Sequence, residues 1–440
     1  MKLNMPRGDF MTYPSLRESL KQVPTPTAWP DQTDPSALVI WCPADVSMPT
    51  PNQNRCSGTY RTLNELWMAL VAKNPATAGT IWIGKNYNSV KAGDANLLFD
   101  GLTLTMMAEY DLTIQGGWEG LGEEAIDPNI PSTLDGISLL IFNWTGNITL
   151  KDLRLQNAIG HSGKAALCVR TAGSIQIERV LANHSLYGSS LDNTASLSSP
   201  PASVTVAASD FSGNDYAGLA IYTKGAVTLQ NVIANRNLLG YGISILNTND
   251  IAASPVTVID GQFNENDATG LAVQSNGVVI LNSVQAQDNG RRGAAVDNRY
   301  GSGDVLLQGT NNFLSNGLHG LQVYSKGRVT AQKLTAIANG ASGLWLLTNA
   351  VADADTPAVT LNEVHADRNG CAGLELYADG QVDLVNSSTY QNINYGLYVR
   401  AANTRDAAAG LKLQGFLSDL NGTDEDVRTD APVVRSTVSP

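Results

Sequence analysis

The chain has 440 residues, of which 43% are hydrophobic and only 15% charged, so it can bury a long core and is not intrinsically disordered. Its formal net charge of −12, without any cluster of Lys or Arg, excludes surfaces that bind nucleic acid or anionic membranes. No run of about 18 apolar residues occurs, and no charged head with an apolar stretch follows Met1, so we expect neither a transmembrane segment nor a signal peptide.

Residues 1–37 are predicted to form an extended lead-in, because they contain six prolines and show no apolar periodicity. Residues 38–80 are expected to form an N-terminal cap. Within the cap, Cys42 and Cys56 flank a loop rich in Pro and Asn. A disulfide that closes this loop would suit an exported protein, and two unrelated thiols are the alternative.

The second half of the predicted cap contains a short helix. Thr62 and Glu65 have the spacing of a capping box, and apolar residues follow them at helical spacing up to Val71. Residues 80–83 then alternate in the manner of a β-strand. Such a helix would cover the first, otherwise open, edge of a sheet.

From Val204 onward the chain consists of an internal repeat. Less regular copies of the same pattern come earlier in the chain and begin at Leu112, Ile148 and Ile175. The spacings between successive regular copies are 23, 29, 23, 26, 24, 30, 23 and 29 residues, so short and long copies alternate and the repeating unit is a pair. Nine regular copies begin at these residues: Val204, Val227, Val256, Val279, Val305, Val329, Val359, Val382 and Leu411.

The regular copies share an Asn about ten residues after the start, and most have a Gly four residues later. A buried Asn at a repeated turn can bond to the turn backbone and to the Asn residues above and below it. The Gly suits a tight corner with a positive φ. The Asn positions are Asn214, Asn237, Asn266, Asn289, Asn316, Asn339, Asn369, Asn392 and Asn421.

The copies are predicted to consist of strands. Segments such as 204–206 and 256–258 alternate with period two and are rich in β-branched residues. We therefore predict an all-β solenoid of parallel strands over residues 81–427, about 12 to 13 coils long, followed by a polar tail at 428–440.

The repeated pattern strand-Asn-x-x-x-Gly-Leu-x-Val, as in 266–273 and 316–323, resembles the right-handed parallel β-helix of the pectin lyase-like superfamily. The resemblance covers about two thirds of the chain and implies a single right-handed β-helix with an N-terminal capping helix. It does not specify a function, because that superfamily includes lyases, hydrolases, esterases and epimerases as well as non-catalytic surface proteins.

The catalytic signatures of that superfamily are not found in this sequence. The nearest matches to the polygalacturonase-like set are 247–250 and 160–162, which stand in the wrong order and lack the adjacent Asp pair. The Arg pattern of pectate lyases, the Asp-Pro-His motif of alginate epimerases and the Asp/Arg motifs of pectin esterases do not occur. His319 and His365 fall near turns and are interpreted as surface or ladder-edge residues.

The extra residues of the long copies form four polar loops, around Asp250, Gly301, Ala352 and Asp406. The pair repeat predicts that these loops lie on one edge of the solenoid, two coils apart. Their carboxylates and arginines could hold calcium and support a base-catalysed elimination, and ordinary solvated loops are the alternative. The charged residues concerned are Asp250, Asp297, Arg299, Asp304, Asp353, Asp355, Arg405 and Asp406.

Aromatic side chains occupy outward positions of the strand that follows the Gly. Flat rings at strand spacing suit stacking on sugars, so these residues are predicted to bind a glycan. The alternative is that Tyr and Trp simply favour half-buried strand surfaces. The predicted ligand-binding residues are Tyr222, Tyr324, Trp345, Tyr377 and Tyr398.

The sequence alone favours a non-catalytic scaffold or adhesion protein, located outside the cell or on its surface. The alternative is a polysaccharide lyase or glycoside hydrolase with a site on the long-loop edge. The expected partner is a polysaccharide or a cell-surface glycan and not nucleic acid, and the chain could form a homo-oligomer or part of a larger assembly. No cofactor is expected, and calcium is the one candidate metal.

Overall fold

The computed structural model describes residues 34–158, 165–248, 253–349, 357–401, 410–429 and 433–436. Most of the expected lead-in at 1–37 and part of the expected tail at 428–440 lie outside the described residues. The limits proposed for the cap and the solenoid remain predictions.

The cap contains the predicted helix, which spans Leu63–Lys73. Its start follows from the capping box, since the Thr62 hydroxyl accepts from the Glu65 N–H and the Glu65 carboxylate accepts from the Thr62 N–H. The helix buries Leu63, Leu66 and Leu70 against the first coil. The other helical segments are Pro35–Ala37, Ser89–Ala92 and Met107–Glu109.

A disulfide joins Cys42 and Cys56, which confirms the bridge predicted from the loop that these two residues flank. Cys42 lies in a strand that pairs antiparallel with Gly79–Gly84 and is fully buried. The bridge packs with Trp118 in a small apolar cluster of its own. It therefore fastens the loop of the cap to the outer side of the first coil.

The solenoid consists of two sheets of stacked, mainly parallel strands. In the described residues the second sheet has 13 strands, one for each coil, in chain order. This confirms the predicted all-β solenoid. The second sheet comprises Leu97–Asp100, Leu139–Trp144, Ala165–Thr171, Tyr187–Asp192, Leu219–Thr223, Ile243–Asn247, Leu271–Ser275, Ala294–Asn298, Leu321–Ser325, Leu344–Thr348, Ala372–Ala378, Tyr395–Ala401 and Thr423–Thr429.

The first sheet carries the strands that begin each copy, and many of them bend or break after about four residues. It comprises Val39–Pro43, Gly79–Gly84, Leu112–Trp118, Ser132–Asp135, Ile148–Gln156, Ile175–Asn183, Val204–Ala207, Val227–Gln230, Val256–Ile259, Val279–Asn282, Gln285–Gln287, Val305–Gln308, Asn311–Leu314, Val329–Ile337, Val359–Asp367, Val382–Val385, Ser388–Tyr390, Leu411–Gln414, Leu417–Asp419 and Val433–Ser436.

The predicted Asn ladder is present at the turn that leads into the second sheet. Asn339 is typical: its Oδ1 accepts from the backbone N–H of Asn316 at 3.0 Å and from the Asn316 side chain at 2.9 Å. Its own Nδ2 donates to the Phe313 carbonyl and to Asn369 Oδ1, both at 3.0 Å. The ladder residues before Asn421 are at most 1% exposed, so these bonds satisfy amides that water cannot reach.

The glycines after the ladder have a different role from the predicted one. Gly320 and Gly343 do not adopt a positive φ. A Cβ at Gly320 would lie 2.8 Å from the side-chain nitrogen of Asn339 and 2.7 Å from the Gly343 carbonyl oxygen. Glycine is therefore required by the close approach of the next coil and not by a left-handed backbone.

The long loops can be compared with the prediction only in part. Those around Asp250, Ala352 and Asp406 lie outside the described residues. The loop around Gly301 is described, and it leaves the second sheet at Asn298 and enters the first sheet at Val305. In the second sheet, the strands that precede the other three loops stand in register with Ala294–Asn298. The four strands that precede long loops are each two coils from the next.

Replacing Asn339 with Ala should lower the free energy of unfolding by about 1 to 3 kcal/mol, because buried amides on both neighbouring coils would lose a partner. Asn421→Ala is the matched control at the half-buried end of the ladder and should cost less. Denaturant unfolding of both variants measures the difference, and equal losses would contradict a cooperative ladder.

Replacing both Cys42 and Cys56 with Ala should lower the stability of the cap by about 2 to 4 kcal/mol, because the unfolded loop between them would no longer be constrained. Hydrogen exchange at helix Leu63–Lys73 measures this loss. The control is Ala at Cys371, a half-buried free cysteine. If the amide hydrogens of this helix exchange no faster in the double variant than in the control, the bridge does not stabilise the cap.

Candidate functional site

The outward side chains of the second sheet form columns that run along the solenoid. Parallel register places Gln322, Trp345, Glu375 and Tyr398 side by side in successive coils. A neighbouring column, two residues further along each strand, contains Tyr324, Leu347, Tyr377 and Arg400. Side chains far apart in sequence are thereby brought to the same surface.

Four of the predicted aromatic residues contact one another across these two columns. The ring centroids are 4.8 Å apart for Tyr324 and Trp345, 5.8 Å for Trp345 and Tyr377, and 5.6 Å for Tyr377 and Tyr398. All four side chains are half-buried. We call these four residues the aromatic strip. The fifth predicted residue, Tyr222, lies four strands earlier and is not part of the strip.

A carboxylate lies within the aromatic strip. Glu375 accepts hydrogen bonds from the Ser342 hydroxyl at 2.6 Å, the Trp345 indole at 3.1 Å and the Tyr377 hydroxyl at 3.0 Å. These three donors fix the carboxylate in place. Burial and the neighbouring Glu375 raise the pKa of Tyr377, so its hydroxyl keeps its proton and acts as a donor.

An imidazole stands next to this carboxylate. The His319 ring lies 6.2 Å from the Trp345 ring, and its Nδ1 accepts from the backbone N–H of Ser342 at 3.2 Å. Since Nδ1 is the acceptor, the neutral ring carries its proton on Nε2. Burial and the nearby Arg292 lower the pKa of His319. Ser342 thus contacts both groups, and because its hydroxyl donates to Glu375, the cluster is not a Ser–His nucleophile pair.

Arg292 and Arg299 lie at the Tyr324 end of the aromatic strip, and of these two only Arg299 is paired with a carboxylate in the described residues. The Arg299 guanidinium lies 4.3 Å from the Tyr324 ring centre and bonds to both oxygens of Asp297, at 2.9 and 2.8 Å. In the described part of the chain no carboxylate pairs with Arg292, and its buried Nε has no hydrogen-bond partner. Burial lowers the pKa of Arg292, but a guanidinium remains protonated in proteins. The uncompensated charge of Arg292 makes this a candidate anion-binding site.

Arg292 is next to His319 in space because their coils are adjacent. The Gly293 N–H donates to the His319 carbonyl at 3.2 Å. Arg292, His319 and Ser342 each stand three residues after a ladder Asn, in three successive coils. This shared offset from the ladder is the signal that could have identified them.

The sequence interprets His319 as a surface or ladder-edge residue and does not connect it with Trp345. His365 is exposed on the first sheet and bonds to the Ser388 hydroxyl at 2.8 Å, away from this cluster.

Of the charged residues predicted on the long loops, only Asp297, Arg299 and Asp304 lie within the described ranges. Asp297 is engaged by Arg299, and Asp304 accepts from the Arg328 backbone N–H at 2.8 Å. Within the described residues no group of three or more His, Cys, Asp or Glu side chains could hold a metal ion. The remaining predicted residues lie outside the described ranges: Asp250, Asp353, Asp355, Arg405 and Asp406.

Comparisons with known proteins concern mainly the fold. Residues 138–310 and 241–408 match the family model described as right handed beta helix region. No curated protein matches the sequence. The chain is similar to the crystal structure of the periplasmic alginate epimerase AlgG, with a TM-score of 0.46 and 14% identity, over 86% of this chain and 89% of that chain. It is also similar to pectate lyase Pel9A, with a TM-score of 0.34 and 15% identity, over 72% of this chain and 70% of that chain.

These comparisons correct the function favoured from the sequence. A non-catalytic scaffold or adhesion protein is wrong as the first choice, because the similar solved structures are an epimerase and a lyase. The alternative, a polysaccharide-active enzyme, becomes the hypothesis to test. At these identities the likeness concerns the fold alone, so the residues that would carry an activity follow only from the geometry of this chain.

No helix in the described ranges is long and apolar enough to cross a membrane. Since the two matched stretches together span residues 138–408, more than half of the chain, and the structure is a solenoid of parallel strands, the chain belongs to the right-handed β-helix family.

Proposed function

We propose that this chain is an enzyme that acts on an acidic polysaccharide by transferring a proton at a ring carbon next to a sugar carboxylate. The observation that carries the proposal is the half-buried Arg292, which has no carboxylate partner in the described residues and lies near His319, which in turn lies near Glu375. A cation, a proton donor and a carboxylate thus share one face with a platform of aromatic rings.

The aromatic strip would hold the sugar chain. Its neighbouring rings stand 4.8 to 5.8 Å apart, so successive sugar rings can contact successive side chains. Rings held on a sheet lose little further entropy on binding, and each stack contributes on the order of 1 kcal/mol. This supports binding of an extended polysaccharide and not of a compact small molecule.

Arg292 would bind the carboxylate of one sugar. A carboxylate that is neutralised by a guanidinium can accept the electron pair left when the neighbouring C–H bond loses its proton. The half-buried position strengthens this interaction, because less water screens it. A neutral sugar would leave Arg292 without a counter-charge, so the proposal is specific for an acidic chain.

Glu375 would transfer the proton, and His319 would donate a hydrogen bond to the reacting sugar. Glu375 takes the proton from the ring carbon, and the electron pair moves onto the carboxylate held by Arg292. The pair then either recaptures a proton from water on the opposite face of the ring, which inverts that carbon, or expels the glycosidic oxygen with formation of a carbon–carbon double bond. In the second case the proton held by Glu375 passes to the departing oxygen, while the neutral His319 donates a hydrogen bond to that oxygen through Nε2–H and keeps its own proton.

This assignment is favoured over glycoside hydrolysis. Hydrolysis by the common mechanisms requires two carboxyl groups that flank the glycosidic bond. Near the aromatic strip, Glu375 accepts only from neutral donors, whereas Asp297 and Asp426 are each paired with an arginine, Arg299 and Arg428. An exported location fits the Cys42–Cys56 disulfide, because such bonds persist in oxidising compartments.

Incubation with polygalacturonate and alginate should produce one of two signals: ultraviolet absorbance from a new double bond, or deuterium uptake at the sugar ring in D₂O, measured by NMR. Glu375→Gln and Arg292→Gln should each reduce the rate roughly 100-fold or more, because each removes a group that acts in the transition state. A neutral galactan should give neither signal.

Arg236 and Glu265 provide matched controls, since they form an exposed pair with 3.8 Å between nitrogen and oxygen, away from the aromatic strip. Arg236→Gln and Glu265→Gln should retain the wild-type rate. The proposal fails if the wild-type chain gives neither signal with acidic polysaccharides, or if the Glu375 and Arg292 variants keep the rate of these controls.

The pKa of His319 should lie below the ordinary value of about 6.5, because burial and Arg292 disfavour its charged form. Replacing Arg292 with Gln removes the repulsion and should raise this pKa, so the ring would become protonated at a higher pH. NMR titration of the four histidines measures the shift, with His319→Gln for assignment. An unchanged pKa in the variant would show that Arg292 does not act on the imidazole.

A further inference from the structure

We propose that Arg400 is a second anion-binding residue on the same face, which holds the carboxylate of another sugar of the chain that Arg292 binds. This proposal rests on the proposed function and narrows its substrate class. A chain held at both residues carries carboxylates on more than one sugar, so the substrate is a polymer of acidic sugars and not a neutral polysaccharide with isolated acidic units.

Arg400 lies directly beside the end of the aromatic strip. It is in register with Tyr377 on the preceding strand and comes two residues after Tyr398 on its own strand, so its side chain leaves the same face of the sheet. The rings of Tyr377 and Tyr398 contact each other, with centroids 5.6 Å apart. A sugar stacked on these two rings would therefore have the Arg400 guanidinium at its side.

Arg400 differs from the other basic residues of this sheet. Within the described residues, the strands of the second sheet contain three of them, Arg170, Arg400 and Arg428. The nitrogen-to-oxygen distance is 3.2 Å from Arg170 to Asp192 and 3.3 Å from Arg428 to Asp426. In the described part of the chain no carboxylate pairs with Arg400, which is exposed. Its guanidinium is therefore available to a carboxylate of a ligand and can hold both oxygens of that group.

The charges around Arg400 favour an acidic chain. Asp426 is in register with Tyr398, where a free carboxylate would repel such a ligand. Arg428 is in register with Arg400 and pairs with Asp426. This end of the strip thus has two guanidinium groups for one carboxylate, and a positive charge remains.

Arg292 and Arg400 lie at opposite corners of the surface that contains the aromatic strip. Arg292 comes just before the strand Ala294–Asn298, whereas Arg400 lies near the end of the strand four steps later, which corresponds to about 19 Å along the solenoid. The four rings of the strip lie on strands between Arg292 and Arg400 or on the strand of Arg400 itself. One extended chain can therefore occupy both arginines, and a single sugar cannot.

Replacing Arg400 with Gln should weaken the binding of hexasaccharides prepared from polygalacturonate and alginate about 3- to 10-fold, because one charge-assisted contact is lost. Isothermal titration calorimetry measures this loss. Steady-state kinetics on the same acidic polysaccharides should show KM raised by a similar factor and kcat within about two-fold of the wild type. This division is expected because Arg400 holds a sugar that does not react, so it binds the ground state and the transition state alike.

The control is Arg236→Gln, which removes the same charge at an exposed position away from the strip. It should keep the affinity and both kinetic constants of the wild type. If Arg400→Gln binds the hexasaccharides as tightly as this control, or lowers kcat without raising KM, Arg400 does not hold a second sugar, while the proposed function stands. If the wild-type chain binds them without any reaction, the proposed function fails and the affinities alone decide the role of Arg400. If the wild-type chain binds none of them, both fail.

Discussion

The hydrogen bonds of one buried Asn per coil hold the register on which the rest of this structure depends. Parallel strands repeat about every 4.8 Å, so a side-chain amide can bond to its own turn and to the amide of the next coil at once. The ladder keeps successive coils in register, and the register decides which outward side chains become neighbours. Trp345 meets Glu375 because their coils cannot slip, and a shift by one residue would turn one of them into the core.

Much of the fold could be predicted because the same sequence pattern recurs in each copy of the repeat. Alternation at Val256 or Val359 indicates a strand, and the recurring Asn indicates the turn. The bends within each coil could not be predicted. They occur at residues with a positive φ, and in several coils these are charged residues such as Arg179, Lys333 and Glu363, which do not favour that conformation. The stacked coils impose these angles, and their hydrogen bonds offset a local cost of about 1 to 2 kcal/mol at each bend.

The candidate site was predictable only where strand alternation applies. Four of its aromatic residues were identified because they occupy outward strand positions. Arg292, His319 and Ser342 come from the turn after the ladder, where alternation no longer tells which way a side chain points. Glu375 lies in the same column as Trp345, but its importance follows from two donors on the preceding coil, Ser342 and Trp345. In a repeat protein, the residues of one site are therefore those at equivalent positions of successive coils and not those close together in sequence.

The ladder also has a direction. Each Asn side chain donates toward the following coil, so the amides form a column of aligned dipoles. At Asn421 the acceptor is no longer an Asn but Asp424, whose Oδ1 lies 3.3 Å from both the backbone and side-chain nitrogens of Asn421. A carboxylate accepts but has no N–H to pass on. A turn stacked on Asp424 would meet an acceptor where the Asn turns before it present donors, so the column of aligned amides, and not the stacking of strands, ends at that carboxylate.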